Sequence, residues 1–223
     1  MTQPNIDAQT FLTAVYQGNV EQLRKYLHQD ATLANTCDEM DNSALHIAAH
    51  NLHVEVIRLL LSHGADVNAT GHFGAKPIHA ACDVREVPVP AIQKEILQLL
   101  INQGADVNAK NKNRITPLHN AVRARSIAAV EFLLENGADV DAKDSNRGST
   151  PLRRAVTNTG AGGTAGRGDD AIVITELLLA YGADPFMKDN RGRMVIDSAH
   201  NKPIIELLQK GVDTSVADMI VDR

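Results

Sequence analysis

The feature that most limits what this chain can fold into is a short triplet, Gly-Ala-Asp, that recurs along it. It begins at Gly64, Gly104, Gly137 and Gly182, and a weaker copy, Gly-Val-Asp, begins at Gly211. Self-similarity at a period of roughly 20 to 50 residues is the signature of a repeat architecture. We therefore expect a chain built from stacked copies of one small unit.

A second landmark, an apolar residue followed by His or by a replacement for it, marks another point in each unit. It is found at Leu45-His46, Ile78-His79, Leu118-His119, Leu152-Arg153 and Ile196-Asp197. Each Gly of the triplet precedes the next landmark by 14 or 15 residues. The distance from a landmark to the following Gly varies much more, so the length variation of the units lies in one segment.

Within that segment the apolar residues follow helical spacing twice, for example over 45–49 and again over 56–61. Thr116-Pro117 and Thr150-Pro151 place a hydroxyl cap before a proline that fits a first helical turn. The glycines of the triplets can close the second helix in the left-handed conformation. Each unit is therefore predicted to hold two short helices, with the insertions at 83–95 and 157–170 between them.

The stretches Ile115 to His119 and Gly104 to Ala109 resemble the two signature sequences of the ankyrin-repeat family. The resemblance covers nearly the whole chain and implies an all-α fold, an ankyrin-repeat solenoid of about six helix-turn-helix repeats with short hairpin-like turns between them. We expect one domain over residues 1–223. Its approximate repeats are an N-terminal cap 5–37, then 38–70, 71–110, 111–144 and 145–188, a C-terminal cap 189–213 and a tail 214–223.

Composition and motifs argue against several classes of function. The chain has 27 acidic and 22 basic residues, a net charge of -5, which weakly disfavours binding of nucleic acid by the whole surface. Its two cysteines, Cys37 and Cys82, form no CxxC pair, so we expect a reducing compartment and the cytoplasm. No signal-peptide pattern, membrane-spanning run or catalytic motif stands out. We expect no membrane association, no cofactor and no enzymatic activity.

Two segments invite a chemical interpretation that we do not favour. His46, His50 and His53 have spacing that could suit a metal or an enzyme, but His46 matches a family position whose usual role is hydrogen bonding. The Gly-rich stretch 157–170 matches neither phosphate-loop pattern. We expect no metal site, and we expect Thr159 to Gly168 to be the most mobile internal segment because glycine loses most entropy on ordering.

In the ankyrin-repeat family, ligands usually meet the hairpin tips and the exposed face of the first helices, which line one concave side. At fifteen matching positions of the last three repeats the chain has six basic residues and no acidic one. Arg114 replaces the usual hairpin Gly and Arg153 the usual His, which puts the family's His network in doubt there. The candidate partner-binding residues are Met40, Phe73, Lys112, Arg114, Arg123, Arg147, Arg191 and Arg193.

These observations predict a protein–protein interaction module, an adaptor, scaffold or inhibitor, that is monomeric and grips an acidic segment of a partner. One alternative is that the same arginines hold nucleic acid or another polyanion; the absence of aromatic stacking residues among them counts against it. A second alternative is a metal-binding or enzymatic protein that uses His46, His50 and His53. The insertions should project from the same edge and assist specificity.

Overall fold

The computed structural model describes residues 6–84, 90–157, 168–199 and 201–210. These residues form paired α-helices and contain no β-strand apart from one isolated bridge between Cys37 and Ser43. The predicted all-α repeat fold is therefore confirmed. The chain divides into two units, Met1–Lys112 and Asn113–Arg223, which we call unit 1 and unit 2 and describe separately. The single domain and its repeat boundaries stay predictions.

Unit 1 consists of three helix pairs. The helices are α1 (Ala8–Tyr16), α2 (Val20–Gln29), α3 (Ala44–His50), α4 (Val54–Ser62), α5 (Pro77–Cys82) and α6 (Pro90–Asn102). The first helices α1, α3 and α5 pack against one another in sequence, as do the second helices α2, α4 and α6. Fully buried side chains such as Phe11, Leu45, Ile57 and Leu97 form the core between them.

Unit 2 follows the same plan. Its helices are α7 (Pro117–Arg123), α8 (Ile127–Glu135), α9 (Pro151–Val156), α10 (Gly168–Ala180) and α11 (202–210). A 3-10 turn, Ile196–Ser198, stands in the last repeat where the first helix of a pair would be. Leu118, Leu133, Leu152 and Leu208 are fully buried in its core.

The helix boundaries lie where the sequence predicts them. Thr116 caps α7 by accepting the His119 N–H at 3.4 Å, and Thr150 caps α9 by accepting the Arg153 N–H at 3.3 Å. The four triplet glycines each follow the end of a second helix and have φ between +80° and +91°. A side chain in that conformation would be strained, so glycine is the residue that ends the helix without cost.

The two insertions lie between the paired helices α5 and α6 and between α9 and α10, as predicted. Residues 85–89 of the first insertion and 158–167 of the second lie outside the described residues. So does the prediction about Thr159 to Gly168, apart from Gly168 itself, which begins α10. Asp169 and Asp170 lie in the first turn of α10. Carboxylates are stabilised there by the helix dipole, so these two residues need no catalytic explanation.

Histidine side chains join successive repeats. His46 Nε2 lies 3.1 Å from the Ala75 carbonyl, and His119 Nε2 lies 3.0 Å from the Ser149 carbonyl. The other ring nitrogen, Nδ1, accepts a backbone N–H from the N-cap residue of its own helix, at 3.1 Å in His46 and 3.2 Å in His119. Since Nδ1 accepts, Nε2 must carry the proton and donate to the carbonyl, and both rings are neutral.

The hairpins between repeats are joined by main-chain hydrogen bonds at their tips. In unit 1 the Lys112 N–H donates to the Phe73 carbonyl at 2.9 Å. In unit 2 the Asn190 N–H donates to the Arg147 carbonyl, also at 2.9 Å. Successive tips therefore lie side by side, and the side chains at matching tip positions form a row within each unit.

Candidate partner-binding site

Unit 2 contains a cleft of about 530 Å³ among α7, α9 and the two hairpins that precede α9 and the 3-10 turn. Five arginines and three aspartates contribute to it, and none of its lining residues is aromatic. The lining residues are Arg123, Asp144, Asn146, Arg147, Ser149, Arg153, Arg154, Thr157, Asp189, Arg193, Asp197 and Ser198. The cleft is thus a polar site with many guanidinium groups, suited to an anionic ligand rather than to an apolar one.

Three of the arginines predicted from the sequence, Arg123, Arg147 and Arg193, line this cleft together. Arg191 is exposed on the next hairpin tip and is not among the lining residues. Lys112 is exposed at the end of unit 1. The structure therefore brings part of the predicted set together, and the role of all these residues in binding stays a prediction.

The acidic residues of the cleft were not predicted from the sequence, and the first of them is Asp144. Its carboxylate accepts the N–H groups of Arg147 at 2.9 Å and Ser149 at 3.2 Å, and it pairs with Arg154 at 2.8 Å. Burial opposes its ionisation, but these hydrogen bonds and the Arg154 charge outweigh burial and lower the pKa of Asp144. Asp144 therefore stays ionised and fixes the hairpin tip.

Asp189 does the same in the next hairpin. Its side chain is only 1% exposed, and it accepts the N–H groups of Arg191 at 2.8 Å and Arg193 at 3.0 Å. The Arg193 guanidinium also reaches it, with Nε at 3.0 Å and a terminal nitrogen at 2.8 Å. Burial opposes ionisation here too, yet these hydrogen bonds and the nearby Arg153 charge hold the pKa of Asp189 at about 2.

Arg153 replaces histidine at the position that joins repeats. Its guanidinium donates to the Ser198 hydroxyl and to the Arg193 carbonyl, and it lies 3.6 Å from Asp189. The side chain is 6% exposed. The sequence put the family's histidine hydrogen bonds in doubt at position 153. Arg153 cannot accept the N–H of its own N-cap residue as a histidine does, but its guanidinium supplies the hydrogen bond to the next repeat.

Two arginines keep their side chains available. Arg147 and Arg191 are exposed, and their backbone N–H groups are held by Asp144 and Asp189. Within the described parts of the chain, neither guanidinium has a hydrogen bond or an ion pair. Each immediately precedes the left-handed glycine of its hairpin, Gly148 or Gly192, so the two occupy matching tip positions.

Arg114 has the strained backbone that the sequence predicts. It is exposed and has φ +55°, while glycines occupy the matching positions of the next two hairpins, Gly148 with φ +66° and Gly192 with φ +76°. A left-handed conformation costs a residue with a Cβ roughly 1 kcal/mol. The structure contains no packing that explains why this position should be arginine.

The apolar candidates Met40 and Phe73 lie on hairpin tips of unit 1. Their side chains are 51% and 57% exposed, which is high for large apolar residues. Phe73 has φ +51°, and the His72 ring meets it edge-on at a centroid distance of 4.3 Å. Both side chains are therefore accessible to a partner, although no observation ties them to the cleft of unit 2.

The histidines proposed as an alternative metal or catalytic site are separately engaged. Both ring nitrogens of His46 are hydrogen-bonded, His53 Nε2 lies 3.0 Å from the Tyr16 carbonyl, and His50 is exposed. Among the described residues, no three His, Cys, Asp or Glu side chains are placed to hold a metal ion together. That the protein binds no metal stays a prediction.

These features define a class of protein: a helical repeat protein that fixes its hairpins through main-chain bonds and leaves the tip side chains for contact. The family model for ankyrin repeats, which spans three copies, matches residues 11–89 and 90–189. The chain therefore belongs to the ankyrin-repeat family. Proteins of this family generally bind other proteins and are generally not enzymes. No helix within the described residues has the length and hydropathy needed to cross a membrane.

Several curated relatives share part of this sequence. A Caenorhabditis elegans homolog of transient receptor potential cation channel subfamily A member 1 is 38% identical over 84 residues, which is 37% of this chain and 7% of the channel. Ankyrin repeat domain-containing protein 49 of Bos taurus is 41% identical over 58 residues, 26% of this chain and 24% of that protein. Protein phosphatase 1 regulatory subunit 27 of Mus musculus is 31% identical over 72 residues, 32% of this chain and 47% of the subunit. The chain spans less than half the length of each of these relatives.

Proposed function

We propose that this protein is a non-catalytic binding module that holds an acidic segment of a partner protein at the cleft of unit 2. Membership of the ankyrin-repeat family supports binding to a protein. The similarity to a phosphatase regulatory subunit supports a role as an adaptor, scaffold or inhibitor. The arginines of the cleft support the acidic character of the bound segment.

The observation that carries this proposal is how charge is distributed among the cleft and tip arginines. Arg153 and Arg193 share the carboxylate of Asp189, and Arg154 pairs with Asp144. Arg147 and Arg191 are exposed, and neither guanidinium has a hydrogen bond or an ion pair within the described residues. A guanidinium can hold a carboxylate by two parallel hydrogen bonds, so these two side chains suit aspartate or glutamate on a partner.

Charge alone would give weak binding. An exposed ion pair contributes about 0 to 1 kcal/mol, so a stable complex needs several pairs and apolar contacts as well. Lys112 and Arg114 are further exposed cations, and Met40 and Phe73 are exposed apolar side chains of the kind that anchor interfaces. We propose that they contribute to the same partner.

The test is charge reversal at the two tips. We expect Arg147→Glu with Arg191→Glu to weaken binding of a partner isolated by affinity capture by about 2 kcal/mol or more, because like charges then oppose the acidic segment. Most of the loss should appear as slower association at low salt. The thermal midpoint should change little, since both side chains are exposed and neither forms a hydrogen bond or an ion pair within the described residues.

The matched control is Arg24→Glu with Lys25→Glu, which makes the same change in net charge on exposed positions of α2. It should leave the affinity nearly unchanged. If the tip variant is folded and binds as tightly as the wild type, the partner does not use these arginines, and Met40 and Phe73 become the next surface to test.

A further inference from the structure

We propose that the anionic group bound in the cleft of unit 2 is a phosphate monoester, carried by a phosphorylated side chain of the partner. This inference rests on the proposed function, because it names the group that the same cleft receives. Three observations support this inference: the net charge of the cleft, an unsatisfied guanidinium N–H in it, and the different elements that contribute its arginines.

The net charge of the cleft matches a dianion. Five arginines and three aspartates line it, which leaves 5 − 3 = 2 positive charges. A phosphorylated serine or threonine carries roughly −1.5 to −2 at neutral pH, whereas one aspartate or glutamate carries a single charge. A single phosphoryl group therefore neutralises the cleft, and a single carboxylate does not.

One donor in the cleft is buried and unsatisfied. Arg154 pairs with Asp144 through a terminal nitrogen at 2.8 Å, but its Nε is buried and has no hydrogen-bond partner. A buried donor without an acceptor destabilises the folded state, and such groups are rare in native structures. An anion in the cleft would give the Arg154 Nε–H its acceptor.

The donors come from three different elements. Arg123 lies at the end of α7, Arg147 on the hairpin before α9, and Arg154 on α9 itself. A carboxylate has two oxygens in one plane and is matched by a single guanidinium fork. A phosphoryl group has three acceptor oxygens arranged around a tetrahedral centre, so it can accept from several directions at once.

The experiment uses small probes and NMR of the arginine Nε–H groups in the full chain. The probes are N-acetyl-phosphoserine amide and, as the carboxylate counterpart, the α-amide of N-acetylglutamate. We expect the phosphorylated probe to shift the Arg154 Nε–H signal saturably and to bind at least about tenfold more tightly than the carboxylate probe. Its binding should weaken as pH falls below about 6, where the phosphate becomes a monoanion.

Two matched variants locate the site. Arg147 and Arg191 are both exposed and occupy matching tip positions, but Arg147 lines the cleft and Arg191 does not. Arg147→Gln should weaken the phosphorylated probe about fivefold or more, and Arg191→Gln should leave its affinity unchanged. Neither change removes a side-chain hydrogen bond or ion pair that the described residues form, so both variants should stay folded.

Several outcomes would overturn the inference. They are equal affinity for the two probes, an unmoved Arg154 signal, equal losses in the two variants, or equally tight binding of sulfate or of dimethyl phosphate. Sulfate would indicate binding of any dianion, and dimethyl phosphate would indicate a nucleic-acid backbone. Full binding of the captured partner after phosphatase treatment would refute this inference alone. Full binding by the Arg147→Glu, Arg191→Glu variant would instead refute the proposed function.

Discussion

Arg114 occupies backbone that glycine adopts without strain, at φ +55°. We expect Arg114→Gly to raise the free energy of unfolding by about 0.5 to 1 kcal/mol, because relief of the left-handed strain exceeds the extra chain entropy that glycine brings to the unfolded state. Arg114→Ala should bring no such gain, since alanine keeps the Cβ. Urea unfolding of the three proteins measures the difference.

The next hairpin provides the reverse experiment. Gly148 has φ +66°, and a Cβ there would press against the Asn190 side chain. Gly148→Ala should therefore destabilise the protein by 1 kcal/mol or more, on the order of the strain plus the steric conflict. If Arg114→Gly were no more stable than the wild type, the arginine would have to contribute a compensating contact in the folded state.

Asp141 stands where the three earlier repeats have asparagine, at Asn35, Asn68 and Asn108. Asn35 donates to the Gly64 carbonyl at 2.9 Å and accepts the Asp66 N–H at 2.8 Å, so its amide satisfies both groups of the next repeat. Asp141 accepts the Asp184 N–H at 3.1 Å but, when ionised, has no hydrogen to donate. We expect Asp141→Asn to raise the free energy of unfolding at pH 7 by about 1 kcal/mol.

The free energy of unfolding gained by Asp141→Asn should be larger at neutral pH than at acid pH. Burial, together with the charges of Asp184 and Asp139, raises the pKa of Asp141 above its usual value of 3.8. The folded protein then binds this proton more readily than the unfolded chain, so ionised Asp141 costs stability at neutral pH, and the cost disappears as pH falls through the raised pKa. The advantage of Asp141→Asn should therefore shrink toward pH 4. Asn68→Asp, the opposite change in unit 1, should destabilise at pH 7.

At the scale of structural elements, Arg153 determines how α9 holds the hairpin 189–193 and the 3-10 turn. We expect Arg153→Ala to lower the free energy of unfolding by about 2 to 4 kcal/mol, because it removes bonds to Ser198 and Arg193 and leaves the buried Asp189 with one cation fewer. Hydrogen exchange should show lost protection over 189–199 first.

Arg153→Lys is the control for charge. It keeps the positive charge but cannot donate to two acceptors in one plane, so it should recover only part of the loss. Full recovery by lysine would show that charge alone holds the segment. A loss spread evenly over unit 2, instead of one concentrated at 189–199, would show that Arg153 stabilises the core more than the joint.

How far the sequence predicts this structure depends on whether a feature is local. The starts of α7 and α9 at Thr116 and Thr150 and the helix ends at the triplet glycines follow from residues within one turn of the boundary. Local hydrogen bonds and backbone preferences decide them, so a short motif suffices. The strain at Arg114 is predictable for the same reason.

The cleft was harder to predict because two of its aspartates lie just outside the hairpin and helix positions that were compared between repeats. Asp144 and Asp189 lie at the base of their hairpins, so a count of the charged residues at tip and helix positions finds six basic residues and no acidic one. Asp38 accepts the N–H groups of Met40 and Asn42 in the same way, so an aspartate that recurs at the base of three hairpins was the available signal. Gly71 and Asn111 stand at that position in the other two hairpins. Arg154 could not be placed from its sequence neighbours.

Across the molecule, buried neutral histidines should make stability sensitive to mild acid. Burial lowers the pKa of His119 to about 4 and also lowers that of His46. Because the unfolded chain binds these protons near pH 6.5, the stabilising contribution is complete above that pH and is lost as pH falls toward 4. We expect the free energy of unfolding to fall by up to about 1.4 kcal/mol per pH unit for each such histidine.

Denaturant titrations at pH 7.5, 6 and 5 measure this slope. His119→Asn should be less stable at pH 7.5 but should show a shallower decline with acid, because one titrating group is gone. Asp189 does not interfere at these pH values, since its stabilising contribution is lost only as pH falls from its usual pKa of 3.8 toward its folded pKa of about 2. A slope unchanged by His119→Asn would assign the acid sensitivity to other groups.

The acceptors of the hydrogen bonds that join successive repeats are mostly main-chain carbonyls. His46, His119 and Arg153 all donate to backbone carbonyls, and neighbouring tips are joined by a backbone N–H and a backbone carbonyl, as between Asn190 and Arg147. Every residue type offers a carbonyl, so replacing a tip side chain leaves these acceptors in place. The tips can therefore be randomised to retarget the protein: a library at 147 and 191 should give many folded members that differ in what they recognise, and selection could act on affinity without first repairing the fold.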